Sequence, residues 1–186
     1  SLVEIDTMVD ICNRNKVKMA LAHQWRAMLP IQKTLDQIKA EKFGKLLRMR
    51  ARPKDDSRGG GEELLLHGTH LFDLMIALAG KPRWASGHIS VDGRDATLLD
   101  TKQGNSPVGP IIGDSISAIF GFDNGVRGFF DSTADLASAA PSPSGLAGNH
   151  LFGLSIECEW ATLELREPGE VYIYAAPRVL PDLENL

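Results

Sequence analysis

Cysteine is scarce: Cys12 and Cys158 are the only two in 186 residues, and no C-x-x-C pair occurs. That excludes a disulfide scaffold or a cysteine-built zinc site, and predicts reduced thiols packed as small hydrophobes in a cytoplasmic protein. No apolar run approaches the roughly 18 residues that a membrane helix needs, and no signal-peptide pattern is visible. A positive excess is lacking too, since 20 Lys and Arg stand against 24 Asp and Glu, a formal net charge of -4. A nucleic-acid surface needs clustered cations, and the most basic stretch, KLLRMRARPK at 45–54, reads instead as a strand with one solvated face. No G-x-G-x-x-G dinucleotide loop is present; Gly59 to Gly61 precede a helix but follow no strand directly. Ser1 opens straight into a helical pattern with no initiator Met, which predicts a sequence cut from a longer one.

What is present suits a globular chain. A hydrophobic fraction of 43% with 24% charged residues can fill a core without a disulfide or metal staple. Val3, Ile5, Met8, Val9, Ile11 and Cys12 recur at mostly helical steps, predicting an amphipathic helix over 2–14. VKMALA (17–22) reads as a short buried strand, HQWRAMLP (23–30) as a loop, and 30–42 as a helix whose stripe is Ile31, Leu35 and Ile38. KLLRMRAR then returns to strand. A polar loop at 52–61 leads into a helix over 62–79 that ends at Gly80, with Pro82 beyond. Strands are expected at 83–91, 114–122 and 126–133, the last two joined by the DNG turn at 123–125, and again at 151–160, 161–167 and 170–176. Residues 92–110 read as a long loop and 137–148 as a small-residue linker. The rhythm is α/β at the start and antiparallel afterwards, an α+β chain in two parts.

The stretch GGGEELLLHGTHLFDLM (59–75) holds the main chemical candidates. His67, His70 and Asp73 sit at three-residue spacing, and Gly68 interrupts an apolar helix at a cost of roughly 1 kcal/mol against Ala, which suggests a close approach to the backbone. Three readings compete: polar residues on a spare helix face, a metal-dependent hydrolase using His67, His70 and Asp73, or one histidine facing a pocket as an acid–base group. The H-x-x-H-x-x-D spacing is geometrically thinner than an i, i+4 metal pair, and no further ligand completes a shell, so no metal is expected. A second candidate, HQWRAM at 23–28, follows the expected strand, where α/β sheets gather ligands. His23, Trp25 and Arg26 there either touch a ring or an anion or form an ordinary polar loop around a packed Trp. The mixed-sign run KDDSR (54–58) reads as a solvated face raised in interest by the adjoining glycines.

In its ordered series of pieces the chain resembles the glucose-fructose oxidoreductase / inositol dehydrogenase / MocA family of NAD(P)-dependent sugar oxidoreductases. The pieces are LVEIDTMVDICNRNKVKMALAHQWR, IQKTLDQIKAEKFGKLLRMRAR, GGGEELLLHGTHLFDLMIALAG, FGFDNGVRGFF and GLSIECEWATLEL. The resemblance implies a Rossmann domain ending near residue 27, then a substrate domain over 28–186 built on a large, mostly antiparallel open sheet with helices on one face. It implies hydride transfer between NAD or NADP and a sugar-like or polyol alcohol, with His70 exchanging the hydroxyl proton. Arg58, Glu62, His67 and Asp73 become candidate substrate contacts, and His23, Trp25 and Arg26 line the cofactor side. Homo-oligomerisation through the open sheet face is expected, since strands as apolar as SISAIFGF and VYIYAA would otherwise leave a sizeable patch. The family's E-K-P lysine is not in the sequence and should lie just before Ser1. Many members carry a carboxylate four residues before the motif histidine, and Leu66 stands there instead, with Glu62 a turn further back. Loss of that charge is what a non-catalytic binding or oligomerisation module would display.

Overall fold

The computed structural model describes residues 2–54, 56–134, 152–167 and 169–175. Helix α1 (Leu2–Arg14) buries none of its residues. A 3-10 turn (Gln24–Ala27) leads into α2 (Leu29–Lys39), whose start carries Pro30 where a missing N–H costs nothing. Strand β1 (Leu46–Arg52) follows, then two helices, α3 (Gly61–Leu65) and α4 (Gly68–Ala79). The rest is strand: β2 (Pro82–Val91), β3 (Arg94–Asp95), β4 (Lys102–Gln103), β5 (Pro110–Ile111), β6 (Ser115–Phe122), β7 (Arg127–Thr133), β8 (Gly153–Cys158), β9 (Ala161–Arg166) and β10 (Glu170–Ala175).

Eight strands form one sheet in the order β10-β9-β8-β1-β7-β6-β2-β3. Only the β1–β7 pair is parallel; every other neighbour runs antiparallel, so the architecture is the α+β one with a large open sheet. Strand alternation sends one set of side chains to the helices. Met49 and Ala51 of β1, Phe130 of β7, Leu154 and Ile156 of β8, and Leu163 and Leu165 of β9 are buried on that face. Ile31, Leu35 and Ile38 of α2 and Leu71, Leu74 and Met75 of α4 close over them. Fully burying each such side chain is worth about 1.5–3 kcal/mol, which makes this layer the principal source of stability. The other face carries Arg48, Arg50 and Glu157, where the Arg48 and Arg50 Nε atoms lie 2.9 and 3.4 Å from the carboxylate, and Arg50 stacks 4.6 Å over the Phe129 ring.

Three sequence expectations are corrected. Residues 17–22 form no strand and are exposed, because a strand exists only against a neighbour and the described residues offer none. The helix expected over 62–79 is two helices that meet at Leu66 and His67, where Leu66 takes a non-helical φ of -91° and ψ of -80°. The loop at 92–110 contains β3, a 3-10 turn at Leu98–Asp100, and the β4 and β5 strands. The linker at 137–148 lies outside the described residues, and the DNG turn does close the β6–β7 hairpin, with the Gly125 N–H donating to the Phe122 carbonyl at 3.2 Å.

The glycine run is explained by what surrounds it. Gly60 has φ +77°, a left-handed backbone, and a Cβ there would stand 2.6 Å from the Asp114 carbonyl carbon. At Gly61 a Cβ would meet the Ile112 carbonyl oxygen at 2.1 Å. The start of α3 is thus pressed directly onto the segment leading into β6, and only glycine permits it.

Candidate active site at the start of helix α4

His67 is the residue that opens α4, in helical geometry itself, and its carbonyl accepts the His70 N–H at 3.1 Å. The two imidazoles therefore rise from one helical turn. Gly68 between them is buried, and a Cβ would touch Phe130, Phe72 and the Glu63 carbonyl at 3.1–3.2 Å. The close approach anticipated at this glycine is where α4 sits on β7 and on the end of α3.

His70 has a buried Nδ1 with no hydrogen-bond partner, the one such side-chain atom among the described residues. Its ring meets that of His23 edge-on, with centroids 5.2 Å apart at 70°. Burial pushes the His70 pKa below 6.5, the fields of His23 and His67 push it further down, and Asp73 and Glu167 oppose them. The imidazole is accordingly held neutral and able to accept a proton.

Asp73, one turn along α4, faces the 23–27 segment. Its Oδ1 lies 2.7 Å from an Arg26 terminal nitrogen and 3.4 Å from His23 Nδ1. Arg26 Nε donates to Oδ2 at 2.7 Å. This joins two sequence candidates into one cluster. Trp25, by contrast, is packed in the core at 3% exposure with its ring edge-on to Phe152, so it buttresses the cluster and does not present a face to a cofactor.

The carboxylates also differ from expectation. Glu62 does not stand in for the absent carboxylate at position 66: it points to the 104–106 segment, where the Asn105 and Ser106 N–H groups donate to it at 2.9 and 2.6 Å. Burial would raise its pKa, but those bonds and nearby Arg58 outweigh burial and hold it below the usual carboxylate value. The residue that pairs with a histidine is Glu63, wholly buried, whose Oε2 lies 2.7 Å from His67 Nδ1 and whose Oε1 accepts the Lys54 N–H at 2.8 Å. Glu63 lies four residues before His67 and shares its side of the chain, while Glu62 faces the 104–106 segment. Arg58 is occupied by Asp56, with Nε 3.0 Å from Oδ1, and that hydrogen bond pulls the Asp56 pKa down.

Three site residues, Glu63, Phe152 and Glu167, were not singled out from the sequence, and Lys54 entered only as part of the mixed-sign run at 54–58. Lys54 sends its ammonium 3.1 Å from Glu167 and 5.2 Å from the Phe152 ring, and Phe152 also meets the His67 ring at 5.7 Å. Glu63 completes the set. Only Glu63 carried a local signal, its i, i+4 spacing to His67; Phe152 and Glu167 flank the β8–β9 hairpin and meet at its open end, where Gly153 pairs with Arg166. Among the described residues no group of three or more His, Cys, Asp or Glu is arranged to hold a metal ion. Asp73 and His67, which a metal-dependent hydrolase would require, are turned to Arg26 and Glu63.

No protein-family model matches the sequence, and no curated protein does. Solved structures do match in fold. An NAD binding oxidoreductase from Klebsiella pneumoniae aligns at 16% identity with a TM-score of 0.60, over 94% of this chain and 47% of the other. The WlbA dehydrogenase from Bordetella pertussis, crystallised with NADH and UDP-GlcNAcA, aligns at 16% identity and TM-score 0.58, over 95% and 52%. An inositol dehydrogenase homolog from Azotobacter vinelandii, complexed with NADH and myo-inositol, aligns at 13% identity and TM-score 0.59, over 95% and 49%. The chain thus spans about half the length of the structures it matches. Its fold is the C-terminal domain fold of oxidoreductases of the glucose-fructose oxidoreductase / inositol dehydrogenase / MocA type.

Proposed function

We propose that the chain is the substrate-binding part of an NAD(P)-dependent oxidoreductase acting on a sugar-like or polyol alcohol. The observation that carries this reading is His70: a buried, unpartnered Nδ1 on a ring whose burial lowers its pKa and favours the neutral form. An alcohol oxidation releases a hydroxyl proton to a base while a hydride leaves carbon, and a neutral imidazole is suited to the first task. NAD or NADP would supply the hydride acceptor. His23 and Arg26, at 24% and 46% side-chain exposure, are the residues available to the cofactor's side of the site. His67 and Asp73 orient the substrate directly or through their partners, and Arg58 and Glu62 hold the surrounding loops.

Residues 1–27 are read as the end of a nucleotide-binding domain. In support, Leu2, Val3, Ile5, Met8 and Ile11 of α1 and Val17 and Leu21 beyond it are all more than half exposed, apolar surface that a larger domain would cover. The outer sheet face is read as the homo-oligomer surface, with Ile119 and Phe129 paired in register across it. The absent carboxylate at Leu66 favours the second reading, a binding or assembly module without catalysis. Expression of the complete reading frame separates the two: NAD(P)+-linked oxidation of myo-inositol or another polyol, abolished by His70→Ala, supports the enzyme, and its absence across a polyol panel supports the module.

A further inference from the structure

We propose that Glu63 is the positioning carboxylate of this site, acting through His67, and that the His67–His70 turn recognises a ligand with two neighbouring hydroxyl groups. The inference rests on the oxidoreductase reading above and extends it to a residue and a substrate feature.

The geometry is that of a carboxylate–imidazole dyad. Glu63 is 0% exposed, and both of its oxygens lie within 2.9 Å of His67 Nδ1. The Lys54 N–H already donates to Oε1, so the carboxylate is an acceptor and the fitting partner is an Nδ1–H. A buried carboxylate without such donors would be costly, and the backbone amide and the imidazole satisfy it together. When Nδ1 bears the only ring hydrogen, Nε2 is left as the acceptor. No described residue bonds that nitrogen, it is not among the buried unpartnered atoms, and the His67 side chain is 18% exposed. Phe152 packs edge-on against the ring and fixes its plane.

His70 is different in kind. Nothing commits either of its nitrogens, so it can exchange a proton reversibly. On one helical turn, residues three apart hold their Cβ atoms about 5–6 Å from each other. A fixed acceptor beside a reversible proton acceptor matches adjacent hydroxyls on a sugar or polyol ring. One hydroxyl donates to His67 Nε2 and anchors the ligand. Its neighbour gives its proton to His70, and the carbon would pass its hydride to the NAD(P)+ of the oxidoreductase reading as the C–O bond becomes C=O. The carboxylate that position 66 lacks is thereby supplied three residues earlier in the sequence, at Glu63, and serves His67.

The test is nitrogen-15 NMR of the histidine rings in the chain, with myo-inositol as the probe and assignments from His67→Gln and His70→Gln. The expected result is an Nδ1–H tautomer at His67, with an Nε2 resonance that moves saturably upfield as myo-inositol is added. Glu63→Gln abolishes the fixed tautomer and weakens the probe's apparent affinity by about tenfold, the size expected for one lost hydrogen bond. If Glu63→Gln fails to fold, His67→Gln gives the affinity comparison. An Nε2–H tautomer in the unaltered chain, or an Nε2 resonance that myo-inositol leaves unmoved, overturns the proposal. The oxidoreductase reading stands or falls separately, on NAD(P)+-linked turnover by the complete reading frame and its dependence on His70.

Discussion

Arg26 grips Asp73 at three points, with Nε on Oδ2 at 2.7 Å, a terminal nitrogen on Oδ1 at 2.7 Å, and that nitrogen on the Asp73 carbonyl at 2.6 Å. The clamp ties the 3-10 turn to α4 across 47 residues of sequence and holds His23 against His70. Because Arg26 is nearly half exposed, the side-chain part of the clamp is screened, and Asp73→Asn should cost only about 1 kcal/mol of stability. Its larger effect should be local. Trypsin should cut at Arg26 faster in Asp73→Asn than in the unaltered chain, while the global urea midpoint moves little.

The glycine turn into α3 should tolerate no side chain. Gly60→Ala places a Cβ in a left-handed backbone 2.6 Å from the Asp114 carbonyl carbon, and such a residue alone costs about 1–3 kcal/mol. The expected outcome is a lower urea midpoint, together with faster amide exchange at Gly61, whose N–H donates to the Gly113 carbonyl at 3.1 Å.

Acid should expose the burial of His70. Its folded pKa lies below 6.5, so near that pH the unfolded chain takes up a proton that the folded chain refuses. Stability attached to this group is present above pH 6.5 and lost as pH falls through the depressed folded value. His70→Gln should therefore lose less stability than the unaltered chain between about pH 7.5 and about pH 5.5, with His23, His67, Asp73 and Glu167 unchanged in both. Urea titrations at the two pH values measure the difference.

The outer sheet face offers a further outcome. Ile119 is 39% exposed beside Phe129, with Arg50 next in the same row across β1. If copies associate through this face, Ile119→Glu should convert a micromolar dimer to a monomer in sedimentation without changing the circular dichroism spectrum. A chain that sediments as a monomer before substitution contradicts that role.

Much of the fold was legible in sequence because its periodicities are strong. Ile31, Leu35 and Ile38 marked α2, and the alternation of buried and partly exposed residues in β8 and β9 marked adjoining strands. VKMALA misled because an apolar run reports a preference for burial, and only a paired neighbour makes it a strand. The interruption between α3 and α4 was invisible to periodicity, since Leu64, Leu65 and Leu66 continue an apolar helix on paper, and it lies at the non-helical Leu66. Glu63 and not Glu62 faces a histidine because it stands four residues before His67. Lys54, Phe152 and Glu167 come together only through the sheet order, which places β8 beside β1, and no local pattern carries that.

The account turns on His70 as the proton acceptor in a polyol oxidation. Its most direct measurement is kcat for NAD(P)+-linked oxidation of myo-inositol, or of whichever polyol the panel selects, by the complete reading frame with and without His70→Ala. The account predicts a loss of about 10²–10⁴-fold in kcat, the usual contribution of a positioned acid–base group. Turnover in His70→Ala within a factor of about two of the unaltered protein would contradict it.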